Sequence, residues 1–126
     1  IYTDGAAQGN PGPGGFGTIL KFGAHEKELS QGFRLTTNNR MELLAVIVGL
    51  EAIKKNDLPV MIFSDSKYVV DSVEKGWLWN WEKKNFKDKA NVDLWLRYIP
   101  AVDGDPKIAA LIEEYRYYFA APGQAG

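Results

Sequence analysis

Cysteine is absent from this 126-residue chain, which excludes disulfide bonds and thiolate metal sites. The absence permits a reducing compartment, and we expect a cytoplasmic protein. No apolar run approaches the length that spans a membrane and no signal peptide is visible, so we expect no membrane association. Neither sign of charge dominates: the formal net charge is −1, which by itself neither indicates nor excludes nucleic-acid binding. The only histidine is His25, in a segment typical of an exposed turn.

The length of the chain indicates the number of domains, and its turn residues indicate where the first strands lie. The chain is long enough for one core but too short for two, so we predict a single domain over residues 1–126. Ile1–Asp4 has the pattern of a strand, whose beginning we expect to lie upstream. Gly5–Gly17 is rich in turn residues, which predicts a loop. It lacks the Gly-Lys-Ser/Thr ending of a P-loop, which argues against nucleotide binding of that kind. Phe16–Phe22 and Glu28–Leu35 then alternate as antiparallel strands do.

A helix and a buried strand follow this hairpin. Asn38 or Asn39 suits the N-cap of a helix that we predict to run to about Lys55. Pro59 stops the helix, and Val60–Phe63 is the continuous apolar run typical of a central parallel strand. An antiparallel hairpin, a crossover helix and such a strand together predict a mixed α/β sheet.

Further helices are predicted in the second half of the chain. Ser66–Lys75 has the pattern of a short helix closed by Gly76, and another helix begins near Asn91 and ends before Pro100. Pro106 suits the first position of a last helix. Its core face would carry Ile108, Leu111, Ile112 and Tyr115.

Three carboxylates stand where the surrounding pattern has no structural need for them. Asp4 and Asp65 each follow an apolar run, and Glu42 lies on the apolar stripe of the predicted long helix. Each has a structural alternative: Asp4 can belong to an Asp-Gly turn, Asp65 can cap a helix, and Glu42 can complement a helix dipole. Together they suggest more, because the carboxyl ends of strands meet at the edge where open α/β sheets place their sites.

A cluster of three carboxylates would be a hard-oxygen site. Such a site suits Mg²⁺ or Mn²⁺ better than zinc. Two such ions about 3.5–4 Å apart can activate a water and stabilise a leaving oxygen in phosphoryl transfer. The sequence therefore suggests phosphoryl-transfer chemistry at Asp4, Glu42 and Asp65.

The segment Trp77–Lys89 interleaves aromatic and basic residues. Its lysines form a local phosphate-binding footprint on a nearly neutral protein, and binding there would depend on salt. The structural alternative is that its tryptophans anchor the core while its lysines are merely solvated. We expect both to hold, with some of the tryptophans buried.

Five separated motifs occur in an order that resembles type 1 ribonuclease H, from Ile1 to about Arg97. They are Thr3-Asp4-Gly5, the Gly-Asn-Pro-Gly-Pro-Gly-Gly loop at 9–15, Thr36 to Leu43, Ser64-Asp65-Ser66 and Asn91-Val92-Asp93-Leu94-Trp95. The resemblance implies an α/β fold, a five-stranded mixed sheet with flanking helices. It also implies a monomer that cuts the RNA strand of RNA–DNA hybrids with two metal ions.

The same resemblance implies roles for individual residues. Asp4, Glu42 and Asp65 would be catalytic and bind metal, with Mg²⁺ expected and Mn²⁺ as the alternative. Six residues would contact the hybrid: Asn10, Asn38 and Asn39 in the minor groove, Thr37 and Asn91 at a DNA-strand phosphate, and Trp81 on the DNA strand. Trp77–Lys89 would correspond to the family's basic protrusion.

The resemblance breaks after Arg97. The family continues with a fifth strand, a histidine in a Lys-Gly-His context and a fourth aspartate, and none of these is legible here. The C-terminal strand and helix are therefore expected to be altered or missing, and Asp103 or Asp105 is the available stand-in for the fourth acid. The alternatives to an active enzyme are a catalytically impaired module that binds hybrids and an inactive fragment.

Overall fold

The computed structural model describes residues 1–53, 59–102 and 107–112, the last range by its backbone. That part of the chain forms five strands: β1 Tyr2–Ala7, β2 Gly12–Phe22, β3 His25–Thr36, β4 Pro59–Phe63 and β5 Lys107–Ile112. It also forms four helices: α1 Asn38–Glu51, α2 Lys67–Glu74, α3 Trp77–Lys83 and α4 Val92–Val102.

The strands form one mixed sheet in the order β3-β2-β1-β4-β5. β1 and β3 both pair antiparallel with β2, whereas β4 pairs parallel with β1 and with β5. The sheet changes from antiparallel to parallel pairing after the crossover from β3 through α1 to β4, because parallel strands need a long connection of this kind. The predicted mixed α/β sheet is confirmed, and it has the five strands that the family resemblance implies.

The prediction of a helix over Ile108–Ile112 is wrong. These residues belong to β5, which pairs with β4 from Pro59↔Lys107 to Phe63↔Ile112. The error has a physical cause: a short apolar run fits both a helix face and a parallel strand, and periodicity does not separate them. The fifth strand that we expected to be altered or missing is thus present, while Tyr115 lies outside the described residues.

Several element boundaries also differ from the predictions. The helix predicted to end before Pro100 contains that proline and continues to Val102. The N-cap of α1 is Thr37 rather than either asparagine, because its hydroxyl accepts from the Arg40 N–H at 3.2 Å. The predicted loop over Gly5–Gly17 is largely strand, since β1 continues to Ala7 and pairs with β2 as far as Ala7↔Gly14. α2 ends before Gly76, which has a φ of 74°, as the sequence predicts, whereas its N-cap is Ser66 rather than Asp65.

The core lies between the sheet and α1. Nearly every α1 side chain from Met41 to Leu50 is buried, and Trp95 and Tyr98 extend the same cluster from α4. Burial on all sides explains why α1 lacks a polar face along most of its length. In the described ranges, no helix is both long and apolar enough to cross a bilayer.

Candidate active site

The register of β1 and β4 brings Asp4 and Asp65 together. Tyr2 pairs with Phe63, and the two rings stack with centroids 4.8 Å apart. Asp4 and Asp65 each lie two residues beyond this pair, Asp4 within β1 and Asp65 just after the end of β4. Asp4 does not end its strand, as the sequence suggested, but lies within β1 where β4 has already ended.

Glu42 reaches this position because α1 approaches β1 very closely at Gly5. A Cβ built on Gly5 would lie 2.5 Å from the Met41 carbonyl carbon and 2.7 Å from the Glu42 nitrogen. Only glycine permits such an approach of the two backbones. The Gly5 backbone also forms a hydrogen bond with the Glu42 carboxylate, which ties the helix to the strand at the site.

The three carboxylates converge as the sequence suggested. Asp4, Glu42 and Asp65 each offer one oxygen, and these oxygens lie within 4.8 Å of one another. Glu42 is buried, with 9% of its surface exposed. Burial, the charges of Asp65 and Asp4 and a hydrogen bond with Asp65 raise the pKa of Glu42 to about 8, against a smaller opposing effect of the Gly5 backbone.

The donor set fits a hard divalent cation. The Glu42 Oε2 atom is buried and has no hydrogen-bond partner among the described residues. A buried carboxylate oxygen without a donor is costly, and repulsion from two neighbouring carboxylates adds to the cost. A cation among these oxygens would relieve both penalties, and all-carboxylate donors favour Mg²⁺ or Mn²⁺.

The polar residues at the start of α1 lie beside this cluster in sequence and in space. The Asn38 Oδ1 atom accepts from the Ala7 N–H at 2.5 Å, which joins the start of the helix to the end of β1. Its amide nitrogen is therefore available to donate outward. Asn39, like Asn10 in the β1–β2 loop, is exposed.

Asn91 lies across from Thr37 in a hydrogen-bonded network. Asn91 has a φ of 61°, a conformation that asparagine tolerates better than most residues, and its carbonyl accepts from the first turn of α4. Its side chain contacts Arg40 and Tyr68, and Arg40 forms an ion pair with Asp93. The Arg40 guanidinium holds the pKa of Asp93 below its usual value. Sequence reasoning gave no role to Arg40, Tyr68 or Asp93, because their contacts join segments far apart in the chain.

Trp77–Lys89 forms α3 and the loop after it, hereafter the basic protrusion. Trp81 is half-buried and meets the buried Trp95 edge-on at 6.0 Å, while Lys89 lies 5.2 Å from its ring centroid. Trp77 and Trp79 are exposed, so only part of the aromatic set anchors the core. Four lysines of the protrusion point to solvent, as expected for a phosphate-binding surface: Lys83, Lys84, Lys87 and Lys89.

His25 is exposed, as predicted, at the start of β3. It pairs with Phe22, five residues along β2 from Gly17, the partner of Asp4. At about 3.3 Å per residue this corresponds to roughly 16 Å, so His25 is remote from the carboxylates. Asp103 and Asp105 lie outside the described residues.

A comparison with protein families identifies the architecture. The model of the family described as RNase H matches residues 1–102 of this chain. The chain belongs to the RNase H family. The match continues past Arg97, where the sequence motifs ceased to be legible.

Relatives of known name agree with this RNase H assignment. The ribonuclease H of Syntrophus aciditrophicus (strain SB) is 56% identical over 104 residues, which cover 79% of this chain and 60% of that protein. The ribonuclease H of Syntrophomonas wolfei subsp. wolfei is 50% identical over 105 residues, covering 79% of this chain and 72% of that protein. Against several other relatives the chain spans 61–65% of their length.

Solved structures show the same RNase H fold. The chain superimposes on LC9-RNase H1, a type 1 RNase H with the type 2 active-site motif, with a TM-score of 0.67 and 28% identity. That match covers 88% of this chain and 59% of the other. LC11-RNase H1, crystallised in complex with an RNA/DNA hybrid, gives a TM-score of 0.61 and 27% identity over 88% of this chain and 79% of its own.

Proposed function

We propose that this chain is a metal-dependent endonuclease that hydrolyses the RNA strand of RNA–DNA hybrids. The convergence of Asp4, Glu42 and Asp65, with one buried and unpartnered Glu42 oxygen, carries the proposal. Membership of the RNase H family and likeness to LC11-RNase H1, which has been crystallised with an RNA/DNA hybrid, support the substrate class.

Asp4, Glu42 and Asp65 would hold Mg²⁺, with Mn²⁺ as the alternative. Bound there, the metal supplies Lewis-acid stabilisation of charge and a more acidic water, in the two-ion arrangement expected of phosphodiester hydrolysis. The chain contributes the position of the carboxylates, fixed by the Tyr2–Phe63 register and by the glycine contact beneath Glu42. The raised pKa of Glu42, about 8, favours its protonated form near neutral pH without a cation, and Glu42 would have to lose that proton to act as a metal ligand.

The surface around the cluster supplies contacts for both strands. Asn10, Asn38 and Asn39 would contact the minor groove, where 2′-hydroxyls distinguish RNA from DNA. Thr37 and Asn91 would hold a phosphate of the DNA strand. Trp81 would contact the same strand, while the lysines of the basic protrusion attract its phosphates.

A catalytically impaired hybrid-binding module is the second candidate. The remote position of His25 favours it, because the family's catalytic histidine has no counterpart in the described part of the chain. The three intact carboxylates favour the enzyme, since a binding module has no need to bury Glu42 between two like charges. For either candidate we propose a monomer in the cytoplasm.

Cleavage of strand-labelled duplexes separates the candidates. The enzyme is expected to cut the RNA strand of a hybrid in Mg²⁺ and to leave its DNA strand, RNA–RNA and DNA–DNA duplexes intact. Binding without cleavage in Mg²⁺ and in Mn²⁺ would favour the module. Equal cleavage of all duplexes would contradict hybrid specificity.

A further inference from the structure

Arg40 joins the two residues proposed to hold a phosphate. Its backbone N–H donates to Thr37 Oγ1 at 3.2 Å, and its Nη1 donates to Asn91 Oδ1 at 3.2 Å. A guanidinium carries donors and no acceptor, so the oxygen rather than the nitrogen of the Asn91 amide must face Arg40. Arg40 therefore contacts both residues, but only the contact with Asn91 is made by the arginine side chain, since the N–H that Thr37 caps belongs to the backbone.

Tyr68 fixes the other side of the same amide. Asn91 Nδ2 donates to the Tyr68 hydroxyl at 3.3 Å, and Trp95 Nε1 donates to that hydroxyl at 2.8 Å. An indole N–H, like a guanidinium, only donates. The network thus ends in an obligate donor at each side, so the direction of every hydrogen bond in it is determined.

These hydrogen-bond directions leave Thr37 and Asn91 with N–H or O–H groups that are free to donate. The Thr37 oxygen accepts from Arg40, so its O–H proton remains to be donated. The Asn91 amide uses one N–H on Tyr68, and its second N–H has no partner among the described residues. Donors are what an anion requires, and Thr37 also caps the positive end of the 14-residue helix α1.

The charge of Arg40 is already paired with that of Asp93. Asp93 accepts from Nη1 at 3.0 Å and from Nη2 at 2.7 Å, a bidentate pair that fixes the guanidinium plane. Arg40 is therefore arranged to orient its neighbours rather than to present a free cation to the substrate.

We propose that Arg40, held by Asp93, is a positioning residue that orients Asn91 as a donor toward the same phosphate of the DNA strand that Thr37 contacts. This inference rests on the proposed function. Its direct consequence is that a change at Arg40 acts through Asn91, and acts on hybrid binding rather than on the chemical step.

A double-mutant cycle tests this dependence. The Kd of a fluorescent RNA–DNA hybrid is measured by anisotropy in EDTA for the unchanged chain, Arg40→Lys, Asn91→Ala and the double variant. Lysine keeps the charge but not the planar two-sided contact. We expect Arg40→Lys to raise Kd about five- to tenfold alone, and less than about twofold in the Asn91→Ala background. Steady-state cleavage should show the same change in KM with kcat nearly constant.

The chain supplies a matched control farther along the same two helices. Arg97 donates to Glu51 at 2.8 and 2.6 Å, an exposed bidentate pair that also joins α1 to α4. Arg97→Lys should therefore cost similar stability and leave Kd and KM unchanged. Equal effects of the two substitutions, or additive effects of Arg40→Lys and Asn91→Ala, would overturn the proposal.

Asp93→Asn separates positioning from direct charge attraction. The substitution frees the charge of Arg40 while loosening its orientation. Positioning predicts a Kd raised about two- to fivefold, whereas direct attraction predicts tighter binding.

Tyr68→Phe, which removes only the hydroxyl, is expected to raise Kd similarly, and it replaces Arg40→Lys as the test if that variant does not fold. If the unchanged chain binds no hybrid, the proposed function itself fails; if it binds and cuts while the Arg40 variants behave like Arg97→Lys, only the positioning role fails.

Discussion

Replacing Glu42 with glutamine should stabilise the metal-free protein while abolishing its metal site. Glu42 is nine-tenths buried, has one oxygen without a donor and faces two other carboxylates, all of which penalise its ionised form. Glutamine keeps the size and removes the charge. A natural active site often carries such a penalty, because the arrangement that binds the ligand is unfavourable without it.

The magnitude and its pH dependence follow from the pKa of Glu42. That pKa rises from 4.5 to about 8 in the folded protein, so between those values the folded state binds more protons than the unfolded state. The free energy of unfolding therefore falls as pH rises through this window and levels off above it. Each pKa unit corresponds to about 1.4 kcal/mol, and solvent at the exposed Asp65 screens part of the repulsion. We expect Glu42→Gln to gain about 1–3 kcal/mol near pH 8.5 and almost nothing near pH 4.5.

Urea unfolding in EDTA at both pH values measures this difference. Glu28→Gln is the matched control, because Glu28 is exposed on β3 and should change the free energy of unfolding by less than about 0.5 kcal/mol. Added Mg²⁺ should then stabilise the unchanged chain and not the variant. A glutamine variant no more stable near pH 8.5 than the unchanged chain, or a gain independent of pH, would refute the reasoning.

Other parts of the site give further expectations. Gly5→Ala should cost more than about 2 kcal/mol and remove Mg²⁺-dependent stabilisation, since its Cβ would lie 2.5 Å from the Met41 backbone; unchanged melting and cleavage would contradict the close approach. Thr37→Val should lower the free energy of unfolding by about 1 kcal/mol through the lost N-cap and should weaken hybrid binding, while Thr37→Ser should do neither. Melting measures the change in stability and anisotropy the change in binding. Changing Lys83, Lys84 and Lys87 together to glutamine should reduce the slope of log K against log salt concentration by about 2–3 with kcat nearly unchanged, and an unaltered slope would exclude these lysines from the interface.

Much of the fold was predictable because its local signals are strong. The apolar run at Val60–Phe63, the helical pattern over Ser66–Lys75 and the glycine at 76 indicate β4 and α2 in the sequence alone. β5 was missed because a short apolar run is compatible with a helix as well as with a strand, and only pairing with β4 decides between them. The cap of α1 was misplaced by one residue because three consecutive residues, Thr37 to Asn39, all suit that position.

The candidate site was likewise predictable only in part. Asp4, Glu42 and Asp65 were predictable because an acid after a strand or on an apolar stripe is conspicuous, and the structure brings these three together. The network from Arg40 to Tyr68 was not, since an arginine on a helix is ordinary and its partners lie 51 and 53 residues away. Sequence patterns report local chemistry, whereas this network depends on how α1, α2 and α4 meet.

Cleavage of a labelled RNA–DNA hybrid by the unchanged chain and by Asp4→Asn tests the central claim most directly. Asp4 belongs to the carboxylate cluster but to none of the proposed hybrid contacts, so the variant should still bind the hybrid in EDTA. We predict that the unchanged chain cuts only the RNA strand in Mg²⁺, and that Asp4→Asn binds with similar affinity but does not cut. Cleavage that survives the substitution, or hybrid binding by the unchanged chain without cleavage in either Mg²⁺ or Mn²⁺, would contradict a catalytic site at Asp4, Glu42 and Asp65.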